Sequence, residues 1–126
     1  MPLHCLIVDD NDHFLRAARR LLERQGMAVV GIPSTGAEAL VRFDECRPDV
    51  TLVDVQLGEE CGLDVARRLV GRAKGTSEVI LISAYPESDF ADILVRYPSI
   101  GFLSKSDLSA EAIRDILTKR ATRDRG

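Results

Sequence analysis

The sequence predicts an α/β fold: one five-stranded, doubly wound parallel sheet with helices on both faces. Three observations carry this prediction. Short apolar runs alternate with amphipathic stretches five times along the 126 residues. The runs are apolar at successive positions, as in strands covered on both faces. Repeated strand–helix units of this kind close into a parallel sheet through right-handed crossovers.

The elements follow in order. Leu3 to Val8 reads as the first strand. Asn11 and Asp12 can cap a helix whose apolar positions are Phe14, Leu15, Ala18, Leu21 and Leu22, and Gly26 stops it. Met27 to Ile32 is the second strand. Thr35 and Glu38 form a capping-box pattern before a helix that buries Ala39, Leu40 and Phe43 and ends before Pro48. Val50 to Val53 is the third strand, and Gln56 to Cys61 reads as a loop. Gly62 leads into a helix with Leu63, Val65, Ala66, Leu69 and Val70 inward, followed by a turn-rich link from Gly71 to Ser77. Val79 to Ile82 is the fourth strand. A helix from Glu87 to Arg96 carries Phe90, Ile93 and Leu94 on one face, and Pro98 forces Tyr97 out of helical geometry. Ile100 to Leu103 is the fifth strand. A last helix starts between Ser106 and Ser109, with Leu108, Ala112, Ile113, Ile116 and Leu117 inward. One domain over residues 1–119 is expected, with 120–126 a polar tail or the start of a linker.

Composition narrows the function classes. A chain with 45% apolar and 29% charged residues is an ordinary globular protein. Its net charge of −3 leaves no electrostatic footprint for nucleic acid. No apolar run is long enough for a membrane span, and no signal-peptide pattern is present. The 3 cysteines are widely spaced and fit neither a zinc site nor a disulfide framework, so a cytoplasmic setting is expected. Cys5 and Cys46 read as small core residues. His4 and His13 read as structural or surface residues, and Arg67-Arg68 as a solvated helix face.

The chemistry lies at the strand ends. Leu6-Ile7-Val8 runs into Asp9-Asp10, and Thr51-Leu52-Val53 runs into Asp54. Carboxylates there are costly unless they meet water or a cation. One acid can cap a helix. A pair matched by a third acid on another strand gathers hard oxygen donors for a divalent cation. In open α/β sheets ligands sit beyond the carboxyl ends of the strands, where Ser83 and Lys105 also fall.

Taken together, Asp9-Asp10, Asp54 with Gly62 eight residues on, Ser83-Ala84 and Gly101-Phe102-Leu103-Ser104-Lys105 resemble the receiver domain of two-component response regulators. The stretch from Gly101 to Ala112 is most similar to receivers that precede a helix-turn-helix output domain. The resemblance implies a flavodoxin-like strand order of 2-1-3-4-5. It implies a phosphoacceptor, not an enzyme acting on a separate substrate, with Asp54 the phosphorylated nucleophile. Asp9, Asp10, Asp54 and the Gln56 carbonyl would bind Mg²⁺ or Mn²⁺. Lys105 and Ser83 would contact phosphoryl oxygens. Ser83 and Phe102 would form the switch, Phe102 turning inward after phosphorylation; a near-complete switch takes about 5 kcal/mol of differential affinity. Gln56 and Tyr85 would tune hydrolysis, Ala84 would govern access, and bulky Tyr85 would slow loss of the phosphoryl group. The implied partners are a sensor histidine kinase or phosphotransfer protein, a downstream protein or tethered output domain, and a phosphorylation-linked homodimer. Direct contact with nucleic acid or membrane is not implied for this segment.

Three alternatives remain at this point: the receiver of a DNA-binding regulator, an interaction module that never takes phosphate, and a hydrolase on the same fold. No nucleophile elbow or glycine-rich phosphate loop supports the last. Several residues depart from the family pattern. Gly58 replaces a common proline and predicts a more mobile loop. Cys61 replaces a common acid, Ser106 replaces a proline that often forms a cis peptide, and Tyr97-Pro98 replaces a small pair before the last strand.

Overall fold

The computed structural model describes residues 2–125, with side chains described through residue 120. The strands are β1 (His4–Val8), β2 (Ala28–Gly31), β3 (Val50–Asp54), β4 (Gln56–Leu57), β5 (Glu60–Cys61), β6 (Glu78–Ser83) and β7 (Ile100–Ser104). The helices are α1 (Asp12–Arg24), α2 (Gly36–Cys46), α3 (Gly62–Ala73), α4 (Ala91–Arg96) and α5 (Ala110–Arg125). The main sheet runs β2-β1-β3-β6-β7 with every neighbouring pair parallel, which is the expected order for the five principal strands.

Local chemistry sets the helix starts. The Asn11 side chain accepts from Phe14 N at 3.1 Å and caps α1. Thr35 accepts from Glu38 N at 3.2 Å, while Glu38 reaches back to Ser34 N at 3.4 Å, one residue earlier than the usual reciprocal bond. Tyr97 ends α4 with φ −123° and ψ 72°, as the following proline dictates.

The sheet separates two apolar interiors. Cys5, Ile7, Leu52, Ile80 and Ile82 face Leu15, Ala18 and Leu22 of α1 and Ala110 and Ile113 of α5. Leu6, Val8, Val53, Val79 and Leu81 face Ala39 and Phe43 of α2 and Val65, Ala66 and Leu69 of α3. Each fully buried Leu, Ile or Phe contributes about 1.5–3 kcal/mol, so this packing fixes the strand ends that build the site. Cys5 lies within the first interior, and burial pushes its thiol up to about 12, far from reactivity.

Several boundaries differ from expectation. The segment Gln56 to Cys61 is a small antiparallel hairpin rather than an open loop, because Leu57 finds a buried seat. Gly71 lies inside α3, which runs on to Ala73 and ends at Lys74 in the left-handed conformation. The stretch expected as one helix from Glu87 splits into a 3₁₀ turn (Glu87–Phe90) and the short α4. Ser106 lies in a second 3₁₀ turn, Lys105–Asp107, before α5 begins at Ala110. Cys46 is half-buried rather than core, its Sγ 3.9 Å from the Val30 carbonyl. Of the expected tail, Gly126 lies outside the described residues. The α5 backbone continues to Arg125, and Arg120 pairs with Glu78 and donates to the Pro98 carbonyl. Among the described residues no peptide bond is cis and no helix is long and apolar enough to cross a membrane.

Thr51 is fully buried in β3, and its hydroxyl has no hydrogen-bond partner among the described residues. Thr51→Val removes that unpaired group while keeping the branched shape. It is expected to raise the unfolding free energy by about 1 kcal/mol, read as a higher urea midpoint at unchanged slope.

Candidate functional site

Strand register builds the site. Val8 pairs with Val53, so Asp9 and Asp54 follow at neighbouring positions on the sheet edge. Asp54 pairs with Ile82, which sets Ser83 one residue further along β6. Ser83 pairs with Ser104, so Lys105 emerges beside it from β7. Four polar residues thus reach one edge from four adjacent strands, and Asp10 follows Asp9 at the surface.

The side chains converge. Carboxylate oxygens of Asp9, Asp10 and Asp54 all lie within 4.8 Å of one another. Lys105 Nζ is 2.7 Å from Asp9 Oδ2 and 3.4 Å from Asp54 Oδ2. Asp9 is fully buried, and its other oxygen accepts from Asn11 N at 2.9 Å. The Asp54 side chain is 14% exposed, enough for one oxygen edge to meet a ligand. Gln56 N donates to Asp54 Oδ1 at 3.4 Å. Ser83 Oγ accepts from Tyr85 N at 3.0 Å, leaving its own hydrogen available to donate. Asp10, Asp54, Gln56, Ser83, Ala84 and Tyr85 line a cleft of about 470 Å³, and Val55, Gly58, Phe90 and Lys105 complete its wall.

Close backbone approach holds the end of β3 against α3. Gly62 N donates to the Val55 carbonyl at 2.7 Å. A Cβ at position 62 would overlap the Asp54 carbonyl oxygen and stand 2.6 Å from that of Val55, so only glycine fits.

Electrostatics follow from the crowding. Burial, and then the neighbouring negative charge of Asp9, push Asp54 from the usual 3.8 up to about 6, although Lys105 and the Gln56 N–H pull the other way. Burial works against the Lys105 charge, but its hydrogen bond to Asp9 and the charges of Asp54 and Asp9 outweigh it and hold the ammonium above the usual lysine range. Three carboxylates facing one ammonium are under-compensated. These hard oxygen donors fit a cation such as Mg²⁺ or Mn²⁺.

Two aromatic rings stand close to the cleft. Phe102 is already buried, at 8% exposure, with its ring 5.2 Å from that of Phe90. Phenylalanine lacks a hydroxyl to reward an exposed position, and Phe90 supplies a partner inside. Phe14, which the periodicity marks only as a core residue, also seats the cation: Lys105 Nζ lies 4.3 Å from its ring centroid. Its place in the first turn of α1, just after the acidic pair, is the one signal of this in the sequence. Tyr85 is 64% exposed at the rim, and Tyr97 lies under the guanidinium of Arg67 at 5.0 Å.

The doubly wound sheet with an acidic, lysine-capped cleft at its carboxyl edge defines the class: a flavodoxin-like domain with a candidate cation site. The chain belongs to the response regulator receiver domain family, whose match covers residues 5–122. It is 30% identical over 115 residues to the response regulator GacA of Pseudomonas viridiflava, spanning 90% of this chain and 53% of GacA. It is 39% identical over 85 residues to the transcriptional regulatory protein CseB of Streptomyces coelicolor, spanning 68% of this chain and 35% of CseB. Among solved structures, a LuxR-family two-component response regulator from Aurantimonas sp. SI85-9A1 superposes with a TM-score of 0.79 at 26% identity, covering 97% of this chain and 87% of that one. The chain spans about half the length of the first curated relatives it matches.

The raised Asp54 value carries a sign. An acid whose folded value lies above its unfolded one favours folding only while protonated. The benefit is complete below about pH 4 and is lost as pH rises through about 6. Without divalent metal, Asp54→Asn is therefore expected to be more stable than the parent at pH 7, by about 1–2 kcal/mol. The gap should close toward pH 4, and added Mg²⁺ should narrow it by binding the parent's native state. Urea unfolding of both proteins at the two pH values, in chelator and in Mg²⁺, measures this.

Proposed function

We propose that this chain is a Mg²⁺-dependent phosphoacceptor switch, phosphorylated on Asp54 by the phosphohistidine of a sensor kinase or phosphotransfer protein. The observation that carries the reading is the meeting of Asp54 with two further carboxylates and the Lys105 ammonium at one sheet edge. A carboxylate is a weak nucleophile, so the site works through position and charge. An Asp54 oxygen forms a bond to phosphorus as the phosphorus–nitrogen bond breaks and the imidazole leaves. Negative charge spreads over the three equatorial oxygens in such transfers. Lys105 is held beside Asp54 by Asp9 and Phe14, and from there it would meet one of those oxygens. Ser83 donates its free hydroxyl hydrogen to another. Asp9, Asp10, Asp54 and the Gln56 carbonyl are the groups that would hold the metal, and a bound Mg²⁺ or Mn²⁺ supplies further positive charge against the phosphoryl oxygens.

The product adds about two negative charges at the end of β3. Lys105 and Ser83 then acquire a stronger partner than they have now. Movement of Ser83 toward it strains the Tyr85 N–Ser83 Oγ bond, and that segment continues into Phe90 and its stack on Phe102. The signal leaves through the α4–β7–α5 surface, toward a downstream protein, an attached output domain or a second copy. Relatives named as transcriptional regulators favour an output in gene control, carried by segments outside this domain. A cytoplasmic location accords with this role.

Incubation with Mg²⁺ and a small acyl phosphate is expected to add one phosphoryl group, seen by intact mass. Asp54→Asn abolishes it, and Lys105→Ala separates the modification from any change at the α4–β7–α5 surface. A parent protein that stays unmodified with every donor overturns the reading. Tyr85→Ala is expected to hasten loss of the phosphoryl group several-fold by opening the cleft rim to water. An unchanged or slower decay in a time course would count against that role for Tyr85.

A further inference from the structure

The hairpin beside Asp54 is too small to hold itself. Its strands are two residues each, with Gln56 opposite Cys61 and Leu57 opposite Glu60. Isolated hairpins are marginal even when longer. Its turn contains Gly58 at φ +59°, where no proline stiffens the chain. Yet its parts border the acidic cleft: Gln56 and Gly58 both line it, and a Cβ at Gly58 would stand 3.6 Å from Asp10 Oδ2. Buried Leu57 fixes one side of the hairpin. The other side is tied at a distance of 24 residues in sequence, where Glu60 Oε1 accepts from Gly36 N at 2.9 Å.

That tie is specific. Gly36 opens α2, and its N–H is one of the donors that a helix start leaves unpaired. Thr35 satisfies Glu38 N, and Glu60 satisfies Gly36 N, so two side chains divide the first turn between them. The positive end of the helix dipole favours a carboxylate there. The seat also demands glycine. A Cβ at position 36 would stand 2.6 Å from Glu60 Oε2 and 2.8 Å from Val65 Cγ2. Glu59, one residue earlier and equally charged, makes no such contact among the described residues.

We infer that Glu60 is a positioning residue whose carboxylate, latched onto the first turn of α2, holds the β4–β5 hairpin in place beside the acidic cleft. Its bearing on metal affinity rests on the reading of that cleft given above. With the latch released, Gln56 loses the fixed position from which its carbonyl meets a cation, and the cost appears as weaker binding.

Four single variants of the full chain and one double variant test this, read by amide hydrogen exchange at residues 55–61 and by Mg²⁺ titration. Glu60→Ala and Gly36→Ala break the latch from opposite sides. Each is expected to speed hairpin exchange about fivefold, the usual scale for a lost helix cap, while core β1 and β3 amides keep their rates. Each should weaken Mg²⁺ binding by a similar factor, and the double variant should be no worse than either alone. Glu60→Gln keeps an acceptor and should restore most of both properties. Glu59→Ala removes the same charge from the same hairpin and should leave exchange unchanged. Hairpin exchange in Glu60→Ala that matches the parent overturns the inference, as does a Glu59→Ala variant that reproduces its effects. A parent protein that binds no Mg²⁺ overturns the metal reading of the cleft, while the exchange rates still decide the latch.

Discussion

The parallel register of the central strands is the constraint from which the site follows. Val8 beside Val53, Asp54 beside Ile82 and Ser83 beside Ser104 leave no freedom in where the next residues emerge. A one-residue slip in any pair would turn a strand's apolar set from one interior to the other. Because both faces of each strand are buried, such a slip costs several large side chains their seats. The energy that assembles the acidic cleft is thus spent in the hydrophobic layers below it, and the cleft itself tolerates strong repulsion. Burial first, and then the charge of the buried Asp9, raise Asp54, and the Lys105 ammonium offsets only part of that cost.

Much of this is legible in the residues. Apolar runs without polar alternation fix the parallel sheet, and runs that end in acids point to the edge that carries the candidate site. Asp9, Asp10, Asp54, Ser83 and Lys105 each stand at the end of a run, which is why the structure brings them together. Interactions between elements distant in sequence are less visible. Nothing in the periodicity around Phe14 says that its ring lies under Lys105, since a core phenylalanine and a cation seat share one spacing. Phe102 and Phe90 are separated by α4 and the turn at Pro98, so no period links them. Short elements escape the same reading. Two-residue strands and single 3₁₀ turns carry too few positions for a period to register.

Helix ends show the same division between local and distant information. Asn11 and Thr35 cap the helices that follow them, and both are plain in sequence because the donor lies three residues on. Glu60 acts on a helix start 24 residues earlier and carries no local mark of doing so. The glycine at position 36 is its only trace, and glycine opens helices in many settings where no distant acid meets it.

The sheet also acts as a partition. Lys105 rests on Phe14, which packs with the α1–α5 interior, whereas Phe102 and Phe90 pack with the α2–α3 interior. The two sides share the edge residues but few apolar neighbours. A side-chain exchange in the layer that holds Phe102 and Phe90 therefore leaves the packing beneath the lysine on the far side largely undisturbed.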